Sequence, residues 1–159
     1  MRKEQELLSR REKVAKELIE IDRQLYEIKM EKEPWHKLEK KFETKLGYRP
    51  RITNSEIKSP LQKDRIRLMK YLIENEYTSE NPISYSNLAK VLGLKNLANV
   101  LIKISNYSPL YAGLKTKNRR YGKKVYIEEL YIRDMEKAKI YVGLMTELIN
   151  LPLKSSYRH

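Results

Sequence analysis

Positively charged side chains dominate the middle of the chain, where no Asp or Glu occurs between Glu80 and Glu128. Of the net charge of +13, residues 58–129 carry +8, from 14 Lys and Arg against 6 Asp and Glu, whereas acids are interspersed on both flanks. Charge of one sign is typical of a surface that contacts phosphate groups. The cations of the acid-free stretch are Lys90, Lys95, Lys103, Lys115, Lys117, Arg119, Arg120, Lys123 and Lys124.

Six of these cations crowd into residues 115–124. Residues 110–117 and 123–130 are β-prone, and Gly122 can supply a positive φ, so we predict a hairpin with residues 118–122 as its turn. Held there, the cations could bind phosphates or place an arginine in the minor groove. The alternative is an exposed turn that lysines keep soluble, which the lack of acids disfavours.

A helix predicted over residues 95–105 would bury Leu97, Val100, Leu101 and Ile104 and turn a polar face to solvent. Asparagine can pair with adenine, and lysine can donate to guanine or to phosphate. The candidate base contacts on that face are Lys95, Asn96, Asn99, Lys103 and Asn106. Asn96 and Asn106 would equally suit helix caps.

Two serine hydroxyls and three tyrosines are weaker candidates for contacts with a nucleic acid. Ser84 and Ser86 lie near the start of the preceding helix, where they could bind phosphate or only cap the helix. Tyr107, Tyr111 and Tyr126 are interpreted as core residues rather than as stacking platforms for bases.

The scaffold for these residues is predicted to be mainly α with a small β-hairpin. A helix over 60–75, a short strand at 83–85, a helix ending at Gly93, the helix from Lys95 and the hairpin follow in that order. The block 83–94, ISYSNLAKVLGL, and the hairpin resemble the winged helix-turn-helix superfamily over residues 58–130. The resemblance implies that the helix from Lys95 enters the major groove of duplex DNA and that the hairpin is the wing.

Two amphipathic helices flank this unit, a layout similar to small archaeal and bacterial transcription regulators that dimerise through terminal helices. Heptads predict a coiled coil over 1–33 and a second oligomerisation helix within 131–159. The apolar positions of the two seams are Leu7, Val14, Leu18, Ile21, Leu25 and Ile28, then Met135, Val142, Met145 and Ile149. These patterns predict a homodimer or higher oligomer, without fixing stoichiometry or helix orientation.

Residues 34–57 are predicted to form a short helix, begun by Pro34 and ended by Gly47, followed by a linker at 48–59 that contains the domain boundary. No apolar run is long enough to span a membrane, and the first residues do not resemble a signal peptide, so we expect a cytoplasmic, nucleoid-associated protein. The Lys-, Glu-, Ile- and Tyr-rich composition indicates a thermophile or an AT-rich genome.

No constellation for catalysis is evident. Cysteine is absent, the histidines are His36 and His159, and no glycine-rich phosphate loop or nucleophile motif occurs, so we expect no enzyme activity, metal or cofactor. Three functions stay open. They are a sequence-specific DNA-binding regulator acting as a dimer on near-palindromic sites, a protein–protein adaptor docking a partner through the coiled coil, and a non-specific architectural or replicative nucleic-acid binder.

Overall fold

The computed structural model describes residues 2–102 and 106–154. Within them the chain is mainly helical with a three-stranded antiparallel sheet, which confirms the predicted fold class. No helix in these ranges has both the length and the apolar character needed to cross a membrane. The elements are α1 (Arg2–Glu31), α2 (Pro34–Leu46), α3 (Asn54–Lys58), α4 (Pro60–Glu74), β1 (Ile83–Ser84), α5 (Tyr85–Leu92), α6 (Leu97–Leu101), a 3-10 turn (Pro109–Tyr111), β2 (Leu114–Tyr121), β3 (Lys124–Ile132) and α7 (Met135–Ile149).

Helix α1 lies in a unit of its own, residues 1–37, and buries none of its side chains. Local ion pairs support it: the guanidinium of Arg23 lies 2.6 Å from the carboxylate of Glu20 and 2.5 Å from that of Glu27. The hydrogen bond from Arg23 also lowers the pKa of Glu20. The predicted seam is exposed along its whole length, from Leu7 at 61 % to Ile28 at 51 %.

The second unit, residues 38–159, begins inside α2 rather than in the predicted linker. The segment predicted as a linker is packed: Ile52 is fully buried, and its backbone N–H donates to Glu39 Oε2 at 2.9 Å. It also contains helix α3, which Thr53 caps by accepting from the N–H of Glu56. Burial of Ile52 and Ile57 explains the difference, because these two aliphatic side chains join the core instead of separating two domains.

Helices α4 and α7 pack against each other in this unit. Leu68, Met69 and Leu72 of α4 are fully buried, and the facing side chains of α7 include Tyr141 and Met145, which are also fully buried. The prediction that Met145 contributes to an oligomerisation seam is therefore wrong, since its side chain is fully covered by its own chain. The other predicted seam positions, Met135, Val142 and Ile149, are half-buried.

The sheet has the strand order β1-β3-β2. Ile83 of β1 pairs with Leu130 of β3, and Leu114 of β2 pairs with Ile132. Strand β2 begins at Leu114, later than predicted, because Pro109 starts a 3-10 turn that Ser108 caps. These pairs at the base of the hairpin are buried and anchor it to the helices.

Candidate nucleic-acid interface

The hairpin that carries the basic cluster extends away from the core. Every residue from 117 to 126 is exposed, although Leu114 and Leu130 at the base are buried. Its turn is shorter than predicted, because β2 continues through Tyr121 and leaves Gly122 and Lys123 to connect the strands. Gly122 has the positive φ, 62°, that such a turn requires.

Strand alternation gives the hairpin two faces. One face carries Arg119, whose guanidinium lies 5.5 Å from the ring centre of Tyr121, and the Tyr121 ring lies 5.8 Å from that of Tyr126. The interpretation of Tyr126 as a core residue was wrong, since it is 49 % exposed; Tyr107 is fully buried, as predicted. The opposite face carries Asn118 and Arg120.

Two of the six hairpin cations have carboxylate partners across the strands. Lys117 lies 3.7 Å from Glu129, and Arg119 lies 3.6 Å from Glu128. These contacts form next to an irregularity in the strand register between Lys117 and Asn118. Among the described residues, no ion pair involves the other four cations, Lys115, Arg120, Lys123 and Lys124. The hairpin is therefore less strongly positive than residues 115–124 alone suggest, but it is still basic.

Helix α5 follows β1 without a break. The hydroxyl of Ser84 accepts from the N–H of Asn87 at 3.2 Å, so this serine is the N-cap that the sequence allowed as an alternative to phosphate binding. Ser86 is exposed in the first turn and Lys90 is exposed in the last. Both could contact an anion that approaches α5.

Helix α6 is much shorter than predicted. It ends at Leu101, and Ile102 is already extended, with φ −60° and ψ 130°. The polar face predicted to carry the candidate base contacts is therefore incomplete. Asn106 lies beyond the helix with φ 59°, and Lys103 lies outside the described residues. Asn96 is the N-cap, since its side chain accepts from the N–H of Asn99. Lys95 and Asn99 are exposed, as predicted.

A buried arginine that the sequence analysis missed donates hydrogen bonds to carbonyls at the end of α6. Arg65 of α4 is 4 % exposed and donates to the carbonyl of Val100 at 2.9 Å and, at 3.5 Å, to that of Ile102. It also donates to Gln62, whose amide in turn donates to Glu56. Gln62 and Arg65 fall on the same stripe of α4 as Ile66, so helical periodicity could have identified them.

Two open grooves flank α6. An apolar groove of about 300 Å³ lies between the helices and the hairpin, lined by Tyr85, Ala98, Val125, Tyr126 and Ile127. A second one, of about 380 Å³, is lined by Ser55, Glu56, Ser59, Leu61, Arg65, Asn99 and Ile102. The first groove brings α5, α6 and the exposed part of the hairpin onto one surface.

No protein-family model, curated protein or solved structure matches the chain. In the part of the chain that the structure describes, no group of three His, Cys, Asp or Glu side chains could hold a metal ion.

Proposed function

We propose that residues 58–130 form a winged-helix domain that binds duplex DNA. The order α4, β1, α5, α6, β2, β3 is the order of elements in that superfamily, with α6 in the place of the reading helix and β2–β3 as the wing. The apolar groove supports this assignment, since it joins the surfaces of α5, α6 and the hairpin that would face one ligand.

The observation that carries the proposal is the acid-free stretch, residues 81–127, which forms α5, α6, β2 and the start of β3. Its described cations lie at the surface: Lys90, Lys95, Lys115, Lys117, Arg119, Arg120, Lys123 and Lys124 are all exposed. Six of these eight, all except Lys117 and Arg119, form no ion pair with a described residue. Such exposed cations attract the phosphates of DNA, and the release of its counterions favours binding.

Sequence-specific regulation is the finer proposal. It depends on α6, where Asn99 is the exposed asparagine whose side chain is not itself an N-cap. Asn99→Ala should change the preference among duplex sequences more than the mean affinity. A non-specific binder would show the same affinity for all duplexes before and after the substitution.

Paired substitutions test the DNA-binding proposal itself. Arg120→Ala with Lys123→Ala removes two exposed hairpin cations, and Lys45→Ala with Lys139→Ala removes the same charge from α2 and α7. Fluorescence anisotropy on a labelled duplex at about 0.1 M salt should show an affinity loss of roughly tenfold per lost phosphate contact for the hairpin pair only. Equal losses for both pairs would contradict a localised site. Absence of binding by the unaltered chain would instead favour the adaptor function.

A further inference from the structure

The DNA-binding proposal leaves the apolar stripe of α1 without a role. Over 30 residues the helix buries nothing, and Leu7, Val14, Leu18, Ile21, Leu25 and Ile28 are each more than half exposed. Arg23 pairs with both Glu20 and Glu27 on the outer side of the helix. An exposed aliphatic stripe opposite a charged face is the pattern of a helix that packs against another helix.

We propose that α1 pairs with α1 of a second copy of this chain in antiparallel orientation. The charges beside the stripe support both a second copy of α1 as the partner helix and the antiparallel orientation. In heptad terms the a positions are Glu4, Arg11, Leu18 and Leu25, and the d positions are Leu7, Val14, Ile21 and Ile28. The flanking g positions are Lys3, Arg10, Glu17, Gln24 and Glu31, and the e positions are Leu8, Ala15, Asp22 and Lys29.

A parallel pair would bring like charges together. Because equivalent a positions meet across a parallel seam, Arg11 would face Arg11 of the second copy, and Glu4 would face Glu4. Along both edges Glu17 would lie beside Asp22 of the other helix, and no edge position would meet an opposite charge. Leucine at a with isoleucine at d also disfavours the parallel two-stranded form.

An antiparallel pair with full overlap removes these conflicts, because each a position then faces a d position. Leu25 packs on Leu7, Leu18 on Val14, Arg11 on Ile21 and Glu4 on Ile28 of the second copy. The long side chain of Arg11 can cover the seam with its methylenes while its guanidinium reaches solvent.

The edges of the antiparallel pair bring opposite charges together at both ends and leave fewer like-charge contacts than a parallel pair. Lys3 comes beside Glu31 at both ends, and Arg10 comes beside Gln24. Glu17 faces Glu17 of the second copy at the centre, one like-charge contact in place of the two Glu17–Asp22 contacts of a parallel pair. Ala15 meets Ala15 on the other edge, where its small side chain permits close approach. The two chains leave such a pair at opposite ends, about 45 Å apart for a helix of this length.

Because the chain contains no cysteine, disulfide trapping can test this orientation without background. Leu7→Cys and Leu25→Cys are made as separate variants of the full chain, one of them labelled with a heavy nitrogen isotope so that the two differ in mass, and they are equilibrated without DNA in a glutathione buffer. In the antiparallel pair the two Leu7 positions are about 27 Å apart, whereas a disulfide needs Cβ atoms about 4 Å apart. We expect a mixed Leu7→Cys–Leu25→Cys dimer and no self-linked dimer of either variant; Ser9→Cys, on the outer face, should not cross-link.

Self-linked dimers of Leu7→Cys and Leu25→Cys would overturn the proposal in favour of parallel pairing. Sedimentation of the unaltered chain as a monomer at micromolar concentration would also overturn it, since a second copy would then not cover the stripe. A dimer with no cross-link in the mixture would exclude the proposed register. These results do not depend on DNA binding, so failure here and failure of the proposed function are separate outcomes.

Discussion

Gly113 holds the start of β2 against the start of α7. Its carbonyl accepts from the backbone N–H groups of Arg133, at 2.7 Å, and Asp134, at 3.4 Å. Its φ is +90°, and a Cβ placed there would lie 2.5 Å from the carbonyl oxygen of Asp134. At this position both the backbone conformation and the available space exclude a side chain.

Gly113→Ala should therefore lower the free energy of unfolding by about 2–3 kcal/mol, from backbone strain and the clash together. Gly143→Ala is the matched control, because Gly143 lies in α7 with open space around its Cβ position, and alanine there should raise stability by about 0.5–1 kcal/mol. Urea denaturation of both variants measures the difference. Similar effects at the two positions would show that the Gly113 turn is not constrained as described.

A second prediction at the level of single residues concerns Arg65. Arg65→Met leaves the buried carbonyl of Val100 and the Gln62 side chain without this donor, which should cost about 3 kcal/mol of stability. Amide hydrogen exchange in α6 should accelerate more than exchange in α7. Lys63→Met, exposed on the same helix, is the control and should leave α6 exchange unchanged. If α6 exchanges alike in both variants, Arg65 does not hold its C-terminal end.

The positive charge of the hairpin is overestimated from the sequence of residues 115–124 alone. Its two acids, Glu128 and Glu129, follow that segment in sequence but lie beside its cations across the two strands. Glu128 lies beside Arg119 and Glu129 beside Lys117, and both carboxylates reduce the positive potential of the hairpin. Exposed ion pairs at such distances add little stability, so the carboxylates can be removed without unfolding the hairpin.

Glu128→Gln with Glu129→Gln should therefore tighten binding to duplex DNA by about three- to tenfold at low salt, with a smaller gain at high salt. Glu74→Gln with Glu136→Gln removes two exposed acids from α4 and α7 and should change the affinity much less. Anisotropy titrations of the two pairs at two salt concentrations separate a local from a general charge effect. Weaker binding by the hairpin pair would mean that its acids take part in the contact.

Local signals predicted some elements closely and missed others for identifiable reasons. The Ser84 cap and Gly93 define α5 within the sequence itself, and Pro34 and Gly47 do the same for α2. The end of α6 could not be predicted locally, since Arg65, distant in sequence, satisfies its last carbonyls. Cross-strand pairing likewise extends β2 into the predicted turn.

At the scale of the whole molecule, the core of the larger unit contains ionisable tyrosines. Tyr141 is fully buried and its hydroxyl donates to the carbonyl of Tyr107, whose own hydroxyl donates to the carbonyl of Arg51. Burial raises the pKa of both tyrosines above the ordinary value of 10.0. Both therefore stay neutral in the folded chain at a pH where they would ionise in the unfolded chain.

Stability should consequently be constant through neutral pH and fall as pH rises above about 10, because the unfolded state then releases protons that the folded state retains. Tyr141→Phe should lose about 1–3 kcal/mol at neutral pH, through the Tyr107 carbonyl left without its donor, and decline less steeply at alkaline pH. Tyr26→Phe, exposed on α1, is the control. Thermal melts from pH 7 to 11 measure both effects, and parallel alkaline declines of Tyr141→Phe and the unaltered chain would contradict the assignment.

The salt dependence of binding to a duplex of random sequence tests the proposed DNA binding most directly, because it counts the phosphates that the exposed cations of the acid-free stretch would neutralise. The logarithm of the association constant should fall linearly with the logarithm of salt concentration, with a slope of roughly −4 to −7 if five to eight of the exposed cations contact phosphates. No measurable binding at about 50 mM salt, or binding that does not change with salt, would contradict the account.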